Sequence, residues 1–330
     1  MRNITVLAGG VGGARFVRGL RDLVDGSDTS ISVVANTGDD LWLAGLRVCP
    51  DLDSIMYTLG GASDEGRGWG RVGESERVSA ELDAYGIGWP WFTLGDLDLG
   101  THIARTSLLR DGLTLTETTA RLTARWDLGV RLLPVTDHEV ETHVEIVDAD
   151  EGTSRLIHFE EWWVRHRAGV PARAFVQRGI ESARATESAI DAVRSADVVL
   201  VAPSNPVVSI GTLVAIPGVA EALHRTVAPV VGVSPLIGGR AVRGMAPACL
   251  AAIGVDSTAS AVAAHYGARA AGGLIDAWLV DDSDADSVPA IEARGIRCHA
   301  VPLWMTDVAA TSAMAAAALR LADELRAHAG

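Results

Sequence analysis

Apolar residues fall along this chain in short, nearly unbroken runs separated by segments of helical period. Ile4–Ala8, Ile31–Ala35, Val198–Ala202, Pro229–Ser234, Ala277–Val280 and Cys298–Pro302 read as strands. Val198-Val199-Leu200-Val201 shows no polar alternation, which fits a strand covered on both faces. Ser182–Ala196, Thr258–Tyr266 and Val308–Ala327 have helical character, and the stretch after Arg15 puts Phe16, Val17, Leu20 and Leu23 on one side. Strands alternating with helices predict an α/β fold, a Rossmann-like, mostly parallel sheet with helices on both faces.

The middle of the chain departs from that rhythm. Between about Asp64 and Ala174 tryptophan and charge are more frequent, and a helix-like Thr116–Trp126 precedes alternating runs at Glu141–Val147 and Arg155–Val164 that suggest antiparallel strands. Residues 64–174 therefore read as an inserted mixed α+β region covering a site on the core. Residues 1–63 and 175–330 form that nucleotide-binding core.

The first run leads straight into Gly9-Gly10-Val11-Gly12-Gly13-Ala14-Arg15 and then a helix. A strand, a glycine turn and a helix start make an anion site, because the helix start carries unpaired N–H groups and glycine lets the backbone approach a phosphate closely. The spacing is not the dinucleotide fingerprint, since Arg15 stands where its third glycine belongs, and Asn36 replaces the acid expected on a ribose. A P-loop is excluded more firmly: the 330 residues contain no lysine, and all 28 basic residues are arginine. Schiff-base lysine chemistry is excluded with it.

Composition narrows the function further. A net charge of −14 argues against a nucleic-acid partner, and an apolar content of 48% is ample for a core. Cys49, Cys249 and Cys298 lie far apart and form no C-x-x-C pair, which suggests reduced, buried thiols in a cytoplasmic protein. No apolar run is long enough for a membrane span or a signal-peptide core.

Five further stretches carry candidate chemistry. Asn36-Thr37-Gly38-Asp39-Asp40 ends the second strand, and Pro50-Asp51-Leu52-Asp53 opens a helix, so Asp40 and Asp53 are candidate ligands for a hard divalent cation; Asp53 can equally be a helix N-cap. In Phe92–Arg105, Asp98, His102 and Arg105 share one helical face, either a ligand face or an exposed salt-bridged one. Pro203–Gly211 and Ser234–Arg240 are polar turns after neighbouring strands, suited to phosphate or a base. His138 and His143 look like a zinc pair, but at five residues apart they diverge by about 140° on a helix and cannot share a metal there. The pair Trp162-Trp163 reads as core or interface.

Taken in order, Gly9–Arg15, Asn36–Asp40, Pro50–Gly61, Phe92–Arg105, Phe159–Val164, Pro203–Gly211 and Ser234–Gly244 closely resemble the 2-phospho-L-lactate transferase family, called CofD in archaea and FbiA in actinobacteria. Arg47–Gly61 and Gly66–Gly70 look most like the actinobacterial branch. The resemblance implies a Mg²⁺-dependent step in making the deazaflavin coenzyme F-420. An enolpyruvyl-phosphate unit moves from a guanosine diphosphate donor to the ribityl hydroxyl of the deazaflavin Fo, releasing GMP. A phospholactate donor and a non-catalytic UDP-sugar-binding regulator of related fold are the alternatives. The resemblance further implies Asp40 and Asp53 as metal ligands and catalytic groups. Gly10, Gly12, Gly13, Ser204, Asn205, Ser209, Gly238 and Gly239 would lie on the nucleotide, and Asp53, Asp96, Thr101, His102 and Arg105 on the deazaflavin. The inserted region would contribute to that acceptor site, and the protein would be a homodimer. Relatives often have a basic residue between the aspartates of Gly-Asp-x-Asp; here it is Leu97.

Overall fold

The computed structural model describes residues 1–147, 152–242 and 244–329. Residues 148–151 of the expected insertion, and 243 within the Ser234–Gly244 block, lie outside the described residues.

Seven strands form one parallel sheet in the spatial order Arg297–Ala300, Ala277–Val280, Val230–Val233, Val198–Val201, Arg2–Ala8, Thr29–Ala35, Arg131–Pro134. Counting from the far edge, this is the doubly wound order 3-2-1-4-5-6 extended by one strand. Period-2 alternation sends Leu7, Val199 and Val201 into one core and Ile4, Val6, Val198 and Leu200 into another, which is why the central strands show no polar positions. The second core is closed by the helices Gly10–Val24 and Val308–Ala329, through Phe16, Val17, Leu20, Met314 and Leu321. Leu23, expected alongside them, is exposed, and Val24 packs against the core at this end of the helix instead. The first core is covered by Glu187–Arg194, Ile210–Ala215, Val219–Arg225 and Ala259–Tyr266.

Residues 64–174 do not stay apart from this sheet. Arg131–Pro134 pairs with Ser32–Ala35 as the edge strand, and Thr114 caps the preceding helix Leu115–Thr123 in a capping box with Glu117. The expected antiparallel strands exist as a three-stranded sheet, Ser154–His158, Glu141–Val147 and Ala172–Arg178, whose last member crosses residue 174. Arg155–Val164 is only partly strand. Pairing stops at His158, and Glu161–Arg165 winds into a π-helical turn that buries Trp162, whose indole N–H donates to the Val170 carbonyl at 2.7 Å. The three cysteines are free and buried. No described helix is long and apolar enough to cross a membrane.

Candidate active site

The strands Arg2–Ala8 and Val198–Val201 are neighbours whose following helices leave to opposite faces of the sheet, so a crevice opens outside their carboxyl ends. There lies a cleft of about 700 Å³. Its floor is the glycine turn locked to the Pro203–Asn205 turn: Ser204 Oγ accepts from the Gly9 N–H at 3.0 Å and donates to the Gly9 carbonyl at 2.7 Å. A Cβ on Gly12 would stand 2.9 Å from the Pro203 carbonyl oxygen and one on Gly13 2.8 Å from Ser204 Oγ. These glycines thus permit a close approach between two turns.

The N–H groups of this turn are not all available to a ligand. Gly10 donates to Asp51 Oδ1 at 2.7 Å, and Asp51 Oδ2 accepts from Asn36 Nδ2 at 2.9 Å. Gly10, expected to face a phosphate, lines the cleft with its amide already engaged, and Gly13 packs behind the wall. Val11 and Gly12 stand at the cleft in the first turn of the helix, where N–H groups have no intrahelical acceptor and the helix dipole is positive. Ser204, Asn205 and Ser209 also reach the cleft. Asn205 Oδ1 accepts from Val207 N at 2.9 Å and Val208 N at 3.2 Å, which stiffens the turn. Gly238 and Gly239 are outside the cleft lining among the described residues. With φ of +55° and +73° they form the two-residue turn of the hairpin Leu236–Ala241, a conformation that explains the glycines without a ligand.

The opposite wall is made by side chains of two helices, Pro50–Leu59 and Asp96–Arg110. Asp53 is not an N-cap: Cys49 holds that position and Pro50 begins the helix. One turn in, Asp53 Oδ1 accepts from Arg105 Nη2, and His102 Nδ1 lies 3.6 Å from Asp53 Oδ2. His102 Nε2 is 3.4 Å from Asp98 Oδ1, which accepts from the Tyr57 hydroxyl at 2.6 Å. Arg105 also donates to the Arg47 carbonyl at 3.2 Å. The Asp98–His102–Arg105 face is therefore buried and turned onto Asp53, and is no exposed ion-pair surface. Burial pushes the Asp98 carboxyl up, but the bonds from His102 and Tyr57 outweigh it and hold its pKa below the usual value. Asp53 Oδ2 is buried without a hydrogen-bond partner. Ligand atoms of Asp53, Asp98 and His102 lie within 4.8 Å of one another, a spacing that can hold a cation.

Several expected contacts fall elsewhere. Asp40 is fully buried behind the cleft, 3.5 Å from Arg47 Nη2, with its pKa raised to about 7 by desolvation. The turn after the second strand points the preceding acid, Asp39, into the cleft instead. Asp96 faces outward and accepts from Ser75 N at 2.9 Å and Ser75 Oγ at 2.8 Å, anchoring a loop at the helix start. Thr101 and Arg105 stand behind the lining, Thr101 against the Tyr57 hydroxyl. Leu97 is exposed, and its carbonyl accepts from Arg71 Nη1 at 3.1 Å.

Other lining residues were not anticipated. Asp39, Asp51 and Glu160 form a buried acidic group, in which desolvation lifts the pKa of Asp51 to about 6 and that of Glu160 to about 8, the latter helped by the charge on Asp51. Trp69, Trp91, Trp163 and Trp304 contribute aromatic surface. Trp163 thus belongs to the cleft, whereas its neighbour Trp162 is core. The doublet alone gives no sign of this division, because the π-helical turn decides which ring points where. Arg15, noted only for spoiling a dinucleotide fingerprint, is also in the wall.

With this geometry in view, comparison with known proteins is direct. Residues 4–314 match the family model described as 2-phospho-L-lactate transferase CofD. The chain is 56% identical over 324 residues to a protein of Streptomyces griseus named phosphoenolpyruvate transferase, covering 98% of this chain and 99% of that one. A Mycobacterium avium protein of the same name is 51% identical over 97% of this chain and 98% of its own. Among solved structures, a UPF0052 family protein from Bacillus halodurans superposes with a TM-score of 0.64 at 17% identity, covering 96% and 98% of the two chains, a likeness of fold. The chain belongs to the 2-phospho-L-lactate transferase CofD family.

Proposed function

We propose that this enzyme transfers the enolpyruvyl-phosphate unit of a guanosine diphosphate-linked donor to the ribityl hydroxyl of the deazaflavin Fo, giving a dehydro precursor of coenzyme F-420 and GMP. The observation that carries the reading is the joining, in one cleft, of a glycine-turn helix start to a buried Asp53–Asp98–His102 group. The names of relatives at 51% identity and above favour enolpyruvate over lactate as the acid.

Phosphoryl transfer depends on positioning and on neutralising charge more than on a special nucleophile. In this reading the Val11 and Gly12 amides hold the diphosphate at the positive end of the helix. Magnesium fits the unpaired oxygen of Asp53 together with Asp98, both of which line the cleft; Asp40, whose Oδ1 is also buried without a partner, stands behind the lining beside Arg47. When bound, the cation supplies neutralisation of the diphosphate charge. Arg105 fixes the Asp53 carboxylate through Oδ1, leaving its second oxygen without a hydrogen-bond partner. Asp53 accepts the proton of the attacking hydroxyl as the new O–P bond forms and the bond to GMP breaks. The tryptophans offer flat apolar surface for the deazaflavin rings.

Mass spectrometry of the protein incubated with Mg²⁺, Fo and, separately, the enolpyruvyl, lactyl and glyceryl guanosine diphosphates tests this. An enolpyruvyl-phosphate adduct of Fo together with GMP is expected. No adduct with any donor, beside an active control enzyme, would overturn the reading.

A further inference from the structure

We infer that Arg15, with the recess beside it, binds the carboxylate of the donor's acid and thereby selects a carboxylate-bearing donor. The inference rests on the function proposed above.

The wall of the cleft is strongly unbalanced in charge. It contains Asp39, Asp51, Asp53, Asp98 and Glu160, and among the described residues Arg15 is its one lysine or arginine. A donor of this kind brings a diphosphate and a carboxylate into that acidic surrounding. The glycine-turn amides and a divalent cation answer the diphosphate, and the carboxylate still needs a partner. Arg15 suits it because its guanidinium forms no hydrogen bond or ion pair with the described residues and reaches Glu65 only through its charge, whereas its helical neighbour Arg18 is hydrogen-bonded to Glu65. Leaving one arginine unpaired at a cleft, beside another that is paired, is the arrangement expected of an anion receptor.

Position agrees with charge. Arg15 lies just over one turn beyond Gly10, and a helical side chain leans back toward its own N-terminus, here toward the cleft. It also lines a side recess of about 30 Å³ with Ser54, Tyr57 and Trp69, whose outer rim carries Arg18, Asp64 and Glu65. On that measure one water needs about 10–15 Å³, so the recess has room for two such groups, the size of a carboxylate. Ser54 and Tyr57 sit on the helix that carries Asp53, one of them adjacent to it. An acid attached to a phosphorus at Asp53 therefore has this recess beside it.

The test compares the enolpyruvyl guanosine diphosphate with its carboxylate methyl ester, by calorimetric binding to the wild type, Arg15→Gln and Arg15→Lys. Wild type should bind the free acid about tenfold to a hundredfold more tightly than the ester, as for one charge-assisted pair. Arg15→Gln should abolish that preference while leaving the ester's affinity and Fo binding within about twofold and the melting temperature unchanged; Arg15→Lys should keep part of it. Equal weakening of acid and ester in Arg15→Gln would assign the residue to the diphosphate and overturn the inference, as would an undiminished preference. A wild type that prefers the acid yet makes no Fo adduct would remove the proposed reaction and leave the carboxylate site standing. One that binds neither form would remove both.

Discussion

The two walls of the cleft meet a ligand by different means. At Gly9–Gly13 the groups offered to a ligand in the proposed reading are main-chain N–H groups, and the side chains around them, Ser204 and Asp51, hold the loop in shape. Across the cleft the helices Pro50–Leu59 and Asp96–Arg110 present side chains, and here the main chain is only scaffold. At Gly12 the first wall leaves no room for an added atom, because a Cβ there would meet the Pro203 carbonyl oxygen at 2.9 Å. The second depends on charge compensation, because Asp53, Asp98, His102 and Arg105 have been taken out of water together. Disturbing the two should give different signatures.

The largest effect is expected at Asp53. Asp53→Asn keeps the shape but removes the charge, and turnover should fall about 10²–10⁴-fold; it also leaves the buried Arg105 guanidinium without its counter-charge, so a lower melting temperature accompanies the loss, read by steady-state kinetics beside thermal unfolding. Arg105→Leu breaks the same pair from the other side. It strands Asp53 in the interior, and chemical denaturation should show a loss of about 3–5 kcal/mol along with most of the activity.

A pH experiment separates Glu160 from both. Its folded pKa, about 8, lies above its ordinary value of 4.5, so the folded state holds a proton that the unfolded state has released between those two values. Stability attributable to Glu160 is thus full below about pH 4.5 and declines as pH rises toward 8, by on the order of a few kcal/mol. Glu160→Gln should flatten that slope in urea titrations run across the window; an unchanged slope would move its origin to Asp51 or Asp40, which are raised for the same reason.

On the main-chain wall the effects are smaller in stability and specific in function. Gly12→Ala puts a methyl 2.9 Å from the Pro203 carbonyl, for a cost of about 1–3 kcal/mol and a raised KM for the donor without a matching change for Fo. Gly238→Ala is the control. It strains a left-handed residue by about 1–2 kcal/mol in a turn away from the cleft, so donor KM should not move.

The contrast also marks what could be read in advance. The strands, the helix after the glycine turn and the shared face of Asp98, His102 and Arg105 are features of local period, and each was visible as such. Choosing between Asp39 and Asp40 was not a matter of period. Gly38 is wedged so tightly that a Cβ there would overlap Thr212, and that packing fixes the turn that sends one acid into the cleft and the other against Arg47. The same holds for Gly238 and Gly239. A glycine pair after a strand serves a phosphate or a hairpin equally well, and only the pairing of Leu236 with Ala241 distinguishes them.

By itself, then, the sequence determined the parallel sheet, the position of the glycine turn at the start of a helix and the class of transferase, since these follow from residue spacing over a few positions and from motif order. Tertiary structure alone decided which groups are free. Gly10 loses its N–H to Asp51 across 41 residues, and Asp53 gains Arg105 across 52. Such pairings are set by how helices dock on the sheet, and burial makes each of them binding: a polar group withdrawn from water must find a partner wherever the fold brings one, however distant in the chain.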